Sequence, residues 1–233
     1  MNKKLKFLFG FTLAEVLVTL GIIGVISAMT VPTLFQNYQK KSYVTQLHKV
    51  YNEVQQAAVA YMNDKNAINL REAGFNNSNA VSDFVKFYFK IIQDCGANAV
   101  PCFADSYKKL SGVSTPVGGA ERYFVLSSGA SVATIARDNA YGDLVAEIWV
   151  DTNGKQGPNI VGRDFFIMYL YKNVIIDDIN FEESSSDSGY NLTSVPLSKE
   201  YRENLFTKYC KGGGEHRRGC FGKILNDNWE MTY

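Results

Sequence analysis

The chain has 233 residues, 46% hydrophobic and 13% aromatic, with a formal net charge of +1. That length supports one globular domain beyond any membrane segment, and the near-neutral balance gives no general case for nucleic-acid binding. With two histidines and no Walker, Rossmann or nucleophile-elbow motif, a catalytic site has almost nothing to build from, and an enzyme is not expected.

Residues 7–34, FLFGFTLAEVLVTLGIIGVISAMTVPTL, form an apolar run in which Glu15 is the only charged side chain. From Phe11 to Leu34 there are 24 residues, about 36 Å as a helix and enough to cross a bilayer core. Lys3, Lys4 and Lys6 precede the run and Lys40 and Lys41 follow it, a mild bias toward a cytoplasmic N-terminus. Without the three leader lysines, 21 basic residues face 23 acidic ones. An ordinary secretory signal cut after Ala28 would place Ile26 at the third-last position, where a small residue is wanted. A carboxylate at the bilayer centre costs at least about 2.5 kcal/mol, so Glu15 needs a partner or a polar depth.

The short lysine-bearing leader, then Gly10, Phe11, Thr12, Leu13, Ala14 and Glu15, then a long apolar helix, resembles the class III signal of type IV pilins and type II secretion pseudopilins. Pro32 falls where many pilins carry a helix-bending proline. The resemblance is close over residues 3–34 and architectural beyond them. It implies a leader at 1–10, cleavage between Gly10 and Phe11 by a prepilin peptidase/methyltransferase, and N-methylation of Phe11. It also implies assembly through Glu15 and Pro32. Near a positive helix N-terminus, the Glu15 carboxylate would meet the free amine of a neighbouring Phe11, and two charges buried together cost less than either alone.

The fold implied is α+β and pilin-like: a long N-terminal helix, membrane-spanning in its first half, packed on an antiparallel β-sheet head. Residues 11–34 are the transmembrane and assembly segment, 35–63 an amphipathic continuation, and 64–233 the head. Val44, Leu47, Tyr51, Val54, Ala58 and Tyr61 recur at three-four spacing, one apolar face of that continuation. His48 reads as a solvated residue on the same helix.

Residues 64–80 read as loop. VSDFVKFYFKII (81–92) favours a short helix, with a strand as its alternative. Cys95, Cys102, Cys210 and Cys220 in an exported chain suggest two disulfides. Three pairings exist; local closure, Cys95–Cys102 and Cys210–Cys220, is expected because each pair brackets a short turn-rich loop. Segments 122–128, 131–137, 144–150, 164–171 and 173–179 are β-rich runs divided by turns, an antiparallel meander. EESSSDSGY (182–190) reads as a polar surface loop. Ser198 caps a helix over 198–210, and the apolar stretch from Cys220 ends the chain as a strand or helix at an edge.

Two segments bear on ligands. DTNGKQGPNIVGRD (151–164) places Asp151, Asn153, Asn159 and Asp164 between strong strands, loosely similar to the calcium loop of some pseudopilins. Lys155 and Gly162 stand where an EF-hand needs oxygen ligands, so a hairpin connection turning at Asn153-Gly154 is expected and no cofactor is assigned, with calcium the one candidate. Lys208, Lys211, His216, Arg217, Arg218 and Lys223 surround the Gly-rich Cys210 loop. Without interleaved aromatics they read as a solvated surface loop more readily than as a DNA contact.

The expectation is therefore a structural subunit, a minor pilin or pseudopilin, of a type IV pilus or type II secretion filament. Its partners would be other pilin subunits, membrane lipid and an inner-membrane assembly platform. Its head would lie in the periplasm or outside the cell. A DNA-uptake or adhesive pilin tip is the alternative.

Overall fold

The computed structural model of the chain describes residues 10–183, 190–212 and 216–233. The leader lysines, and residues 184–189 of the polar 182–190 segment, lie outside the described residues. Helix α1, Leu13–Asp64, runs through two compact units, residues 1–40 and 41–233.

In the first unit, every described residue up to Tyr38 is exposed, although an 18-residue stretch of the helix has a mean hydropathy of 2.0. Among the described residues α1 is the one helix long and apolar enough to cross a membrane. Among the described residues of its own unit this apolar stretch has no covering partner. Pro32 stands inside α1, where it withholds a donor from the Ala28 carbonyl, yet the helix continues through it.

In the second unit the same helix becomes one-sided. Tyr43, Val44, Leu47, Val50, Val54, Ala57, Ala58 and Tyr61 are buried in the head's core. Tyr51, expected on that stripe, is half-buried beside it. Helix α2, Ser78–Tyr88, begins where the Asn77 side chain accepts from the Ala80 N–H at 3.0 Å. It buries Val81, Phe84 and Val85. Two residues later the chain becomes strand β1, Ile91–Gly96. The 81–92 segment is thus helix and then the start of a strand that the sequence reading placed in the Cys95 loop.

After a two-stranded ribbon, β2 (Tyr107–Lys108) with β3 (Ser114–Thr115), come β4 (Arg122–Leu126), β5 (Ser131–Ala136), β6 (Leu144–Asp151), β7 (Phe165–Tyr171) and β8 (Ile176–Asp177). They form one antiparallel sheet in the order β1-β4-β5-β6-β7-β8. Every residue of β6 and β7 is buried, which accounts for their near-continuous apolar sequences. The next ribbon pairs β9 (Phe181–Glu183) with β10 (Tyr190–Leu192).

The expected strand over 173–179 shrinks to β8 because its acidic residues turn inward. Asp177 and Asp178 are both fully buried. Arg202 grips Asp177 in a bidentate pair at 2.8 and 2.6 Å, and Asp177 also accepts the Leu197 N–H at 2.9 Å. Asp178 accepts backbone N–H bonds from Ile179, Gly219 and Gly222. Burial pushes its carboxyl up to about 6 even though those three donors favour the anion.

Ser198 caps α3, Lys199–Leu205, which widens into a π turn over Phe206–Lys211. Helix α4, Cys220–Asn226, follows, the helical form of the expected terminal element, and the residues after it are irregular. Trp229 in this tail stacks on His48 with ring centroids 4.0 Å apart and meets Tyr51 edge-on at 5.0 Å. His48 is therefore a packing residue, not a solvated one: the tail supplies the ring that covers it. Cys95 is bonded to Cys102 and Cys210 to Cys220.

Candidate functional site

The N-terminal site is built by four residues. Gly10 and Phe11 precede the helix, and Phe11 is 89% exposed. The Thr12 backbone N–H and hydroxyl both donate to one carboxylate oxygen of Glu15 at 2.8 Å, and the Glu15 N–H donates back to the Thr12 hydroxyl at 3.3 Å. This is a capping box: the N-cap threonine and the glutamate three residues on satisfy helix-end donors that lipid would leave bare. Thr12 was not singled out from sequence, although T-x-x-E is the signature that identifies such a pair. The structure therefore gives Glu15 a partner within its own chain, the free end of its helix, alongside any partner in a neighbour.

The 151–164 connection turns Asp151, Thr152, Gly154, Val161, Gly162 and Asp164 inward and leaves residues 155–158 exposed. Asp151 and Asp164 are fully buried. Asp164 accepts the backbone N–H groups of Asn159 and Ile160 at 2.7 and 2.6 Å. Asp151 accepts the Tyr107 hydroxyl and, at 3.3 Å, the Asn153 N–H. The Lys108 N–H donates to the Asn159 carbonyl and the Val161 N–H to the Lys108 carbonyl, tying the loop to β2. Burial pushes the Asp151 carboxyl up to about 8, with the Asp164 charge adding to that shift and the Tyr107 hydroxyl opposing it. Burial likewise raises Asp164.

Both carboxylates thus already accept hydrogen bonds, Asp164 from the loop's own amides and Asp151 from the loop and from Tyr107 of β2. The side-chain oxygens of Thr152, Asn153 and Asn159 are buried without a hydrogen-bond partner, and they are the atoms that could join Asp151 in holding a cation. Among the described residues no group of three or more His, Cys, Asp or Glu side chains is gathered for a metal. Gly162 explains the rest of the motif. Its φ is +88°, and a Cβ there would lie 3.0 Å from both sulfurs of the Cys210–Cys220 disulfide. That bridge closes onto the loop.

The basic residues around Cys210 do not form an open cationic face. Arg217 lies over the Trp149 ring at 4.2 Å and donates to the Pro116 carbonyl at 2.7 Å. Arg218 is 5% exposed and lies over Tyr209 at 4.4 Å. Lys223 donates to Glu203 and Asp227 at 2.8 and 3.0 Å. Lys208 and Lys211 are exposed. Aromatic rings are interleaved after all, but they hold the arginines inward.

No protein-family model, curated protein or solved structure matches the chain.

Proposed function

We propose that the chain is a prepilin-like structural subunit, a minor pilin or pseudopilin. In this reading it is cleaved between Gly10 and Phe11, methylated on Phe11, and assembled through the first half of α1. One observation carries the reading: the helix is exposed and apolar from Leu13 to Tyr38, then becomes the buried core helix of the head from Tyr43 onward. A helix built this way needs lipid before assembly and neighbouring helices after it. The residues at its start supply the cleavage and assembly signal to which the resemblance points. The head acts as the exported part, held by its two disulfides. A DNA-binding tip draws less support, because Arg217, Arg218 and Lys223 are engaged within the protein.

The test is filament incorporation of Glu15→Val. The change makes the membrane segment more apolar, so membrane levels should match the wild type, while sheared filaments should contain little of the variant. Wild-type incorporation would remove Glu15 from assembly.

A further inference from the structure

The fold shields its two disulfides unequally. Cys210 and Cys220 are 2% and 1% exposed, and Gly162 packs against both of their sulfurs. Cys102 is 1% exposed, but its partner Cys95 is only half-buried and the chain just beyond it is largely exposed. A thiolate must reach one sulfur to break a bridge, so the first disulfide offers an approach at Cys95 and the second offers none at either end.

Cys95 also lies on the most weakly held strand of the large sheet. Strand β1 has no buried residue and pairs with β4 alone. That pairing slips register twice, between Ile91 and Gln93 and between Asp94 and Gly96. The Lys86–Asp94 ion pair beside it is exposed at both ends and contributes little. Cys102 is anchored, by contrast: its carbonyl accepts the Ser131 hydroxyl of β5, and its neighbour Phe103 is buried in the core. The bridge therefore ties the loose end of β1 to a fixed point, while Phe89, packed on Phe84, holds the other end.

We propose that the Cys95–Cys102 bridge is a redox-sensitive latch: reduction by a dithiol releases β1 and leaves β4 as the edge of the sheet, with the rest of the head folded. A thiolate of the dithiol attacks the Cys95 sulfur, forms a mixed disulfide there and expels the Cys102 thiolate. The second thiol of the reagent then closes its own disulfide ring and frees Cys95. Two electrons pass to the protein, and the two cysteine thiolates take up the two protons that the reagent loses. Once the latch is open, the stretch between fixed points grows from residues 90–94 to residues 90–101. The strand gains conformational freedom that its few contacts do not offset. Opening stops at β4 because β6 and β7, further into the sheet, are buried throughout.

Dithiothreitol is the probe, added to the full chain in maltoside micelles, with alkylation and hydrogen exchange read by peptide mass. Cys95 and Cys102 should be alkylated at least about tenfold faster than Cys210 and Cys220. Amides of residues 91–96 should then exchange at least about tenfold faster, with a gain at 122–126 and unchanged protection at 144–151 and 165–171. Cys95→Ser combined with Cys102→Ser should show the open pattern without reductant, with Cys210–Cys220 still closed. The latch is overturned if both bridges open together, or if neither opens. It is also overturned if residues 91–96 keep their protection once Cys95 and Cys102 are thiols, or if β6 and β7 lose theirs along with β1.

Discussion

Glu15 and Thr12 close on each other across the first turn of α1, with two donors from Thr12 meeting one Glu15 oxygen at 2.8 Å. The carboxylate that looks misplaced in an apolar run therefore completes its own helix end before any neighbour is considered. Capping and charge are separable roles. A capping box accepts glutamine as well as glutamate, whereas pairing with an amine needs the anion.

That separation makes the first prediction. Glu15→Gln keeps an oxygen for the Thr12 donors and removes the charge, so it should reach the membrane and be poorly recovered in sheared filaments. Thr12→Val keeps the charge and lacks the hydroxyl, a loss of about 1 kcal/mol at the cap, and should assemble with only a modest deficit. The reverse ranking in filament yield, normalised to total membrane protein, would make the cap the residue's main contribution.

Gly162→Ala should destabilise the head by about 2 kcal/mol, lowering the melting temperature by roughly 5 °C. The new Cβ meets both sulfurs at 3.0 Å and its residue must hold φ at +88°. Combining it with Cys210→Ser and Cys220→Ser should cost less than the sum of the separate effects, since the contact is shared. Strict additivity in thermal melts would argue against the disulfide as the obstacle.

Asp151 sets a pH dependence. In the unfolded chain its proton leaves near the ordinary 3.8, while in the fold it is held to about 8. Between those values the folded state binds more protons, so stability falls as pH rises. Asp178, raised to about 6, adds in the same direction over the lower part of the range. The melting temperature should decline from about pH 5 to about pH 8, and Asp151→Asn should flatten that decline. An unchanged slope in the variant would remove Asp151 as its source.

The 151–164 loop should be calcium-independent, because Asp151 and Asp164 already accept hydrogen bonds from Tyr107, Asn153, Asn159 and Ile160. Calcium at about 5 mM should leave the melting temperature unchanged. A rise abolished by Asp151→Ala would make the loop a cation site, since a ligand that binds only the folded state stabilises it.

Much of this architecture is legible from side-chain periodicity. The buried stripe of α1 and strands β4 to β7 follow apolar patterns that depend on little beyond their own segments. Strand β1 is harder to read because it is an edge strand with no buried residue, and it follows the aromatic run of α2 without an intervening glycine or proline. The inward turn of Asp177 and Asp178 depends on Arg202 and on the Gly219 and Gly222 amides, more than twenty residues away. Likewise, composition cannot distinguish a solvated arginine from Arg217 on Trp149. The capping box, by contrast, is local: threonine with glutamate three residues on.

The most direct test of the proposed function is the intact mass of the chain extracted from its native membrane. Processing as a prepilin requires a species that lacks residues 1–10 and carries one added methyl group, with N-methylated Phe11 as its first residue. A full-length mass, or an N-terminus near Met29, would contradict it.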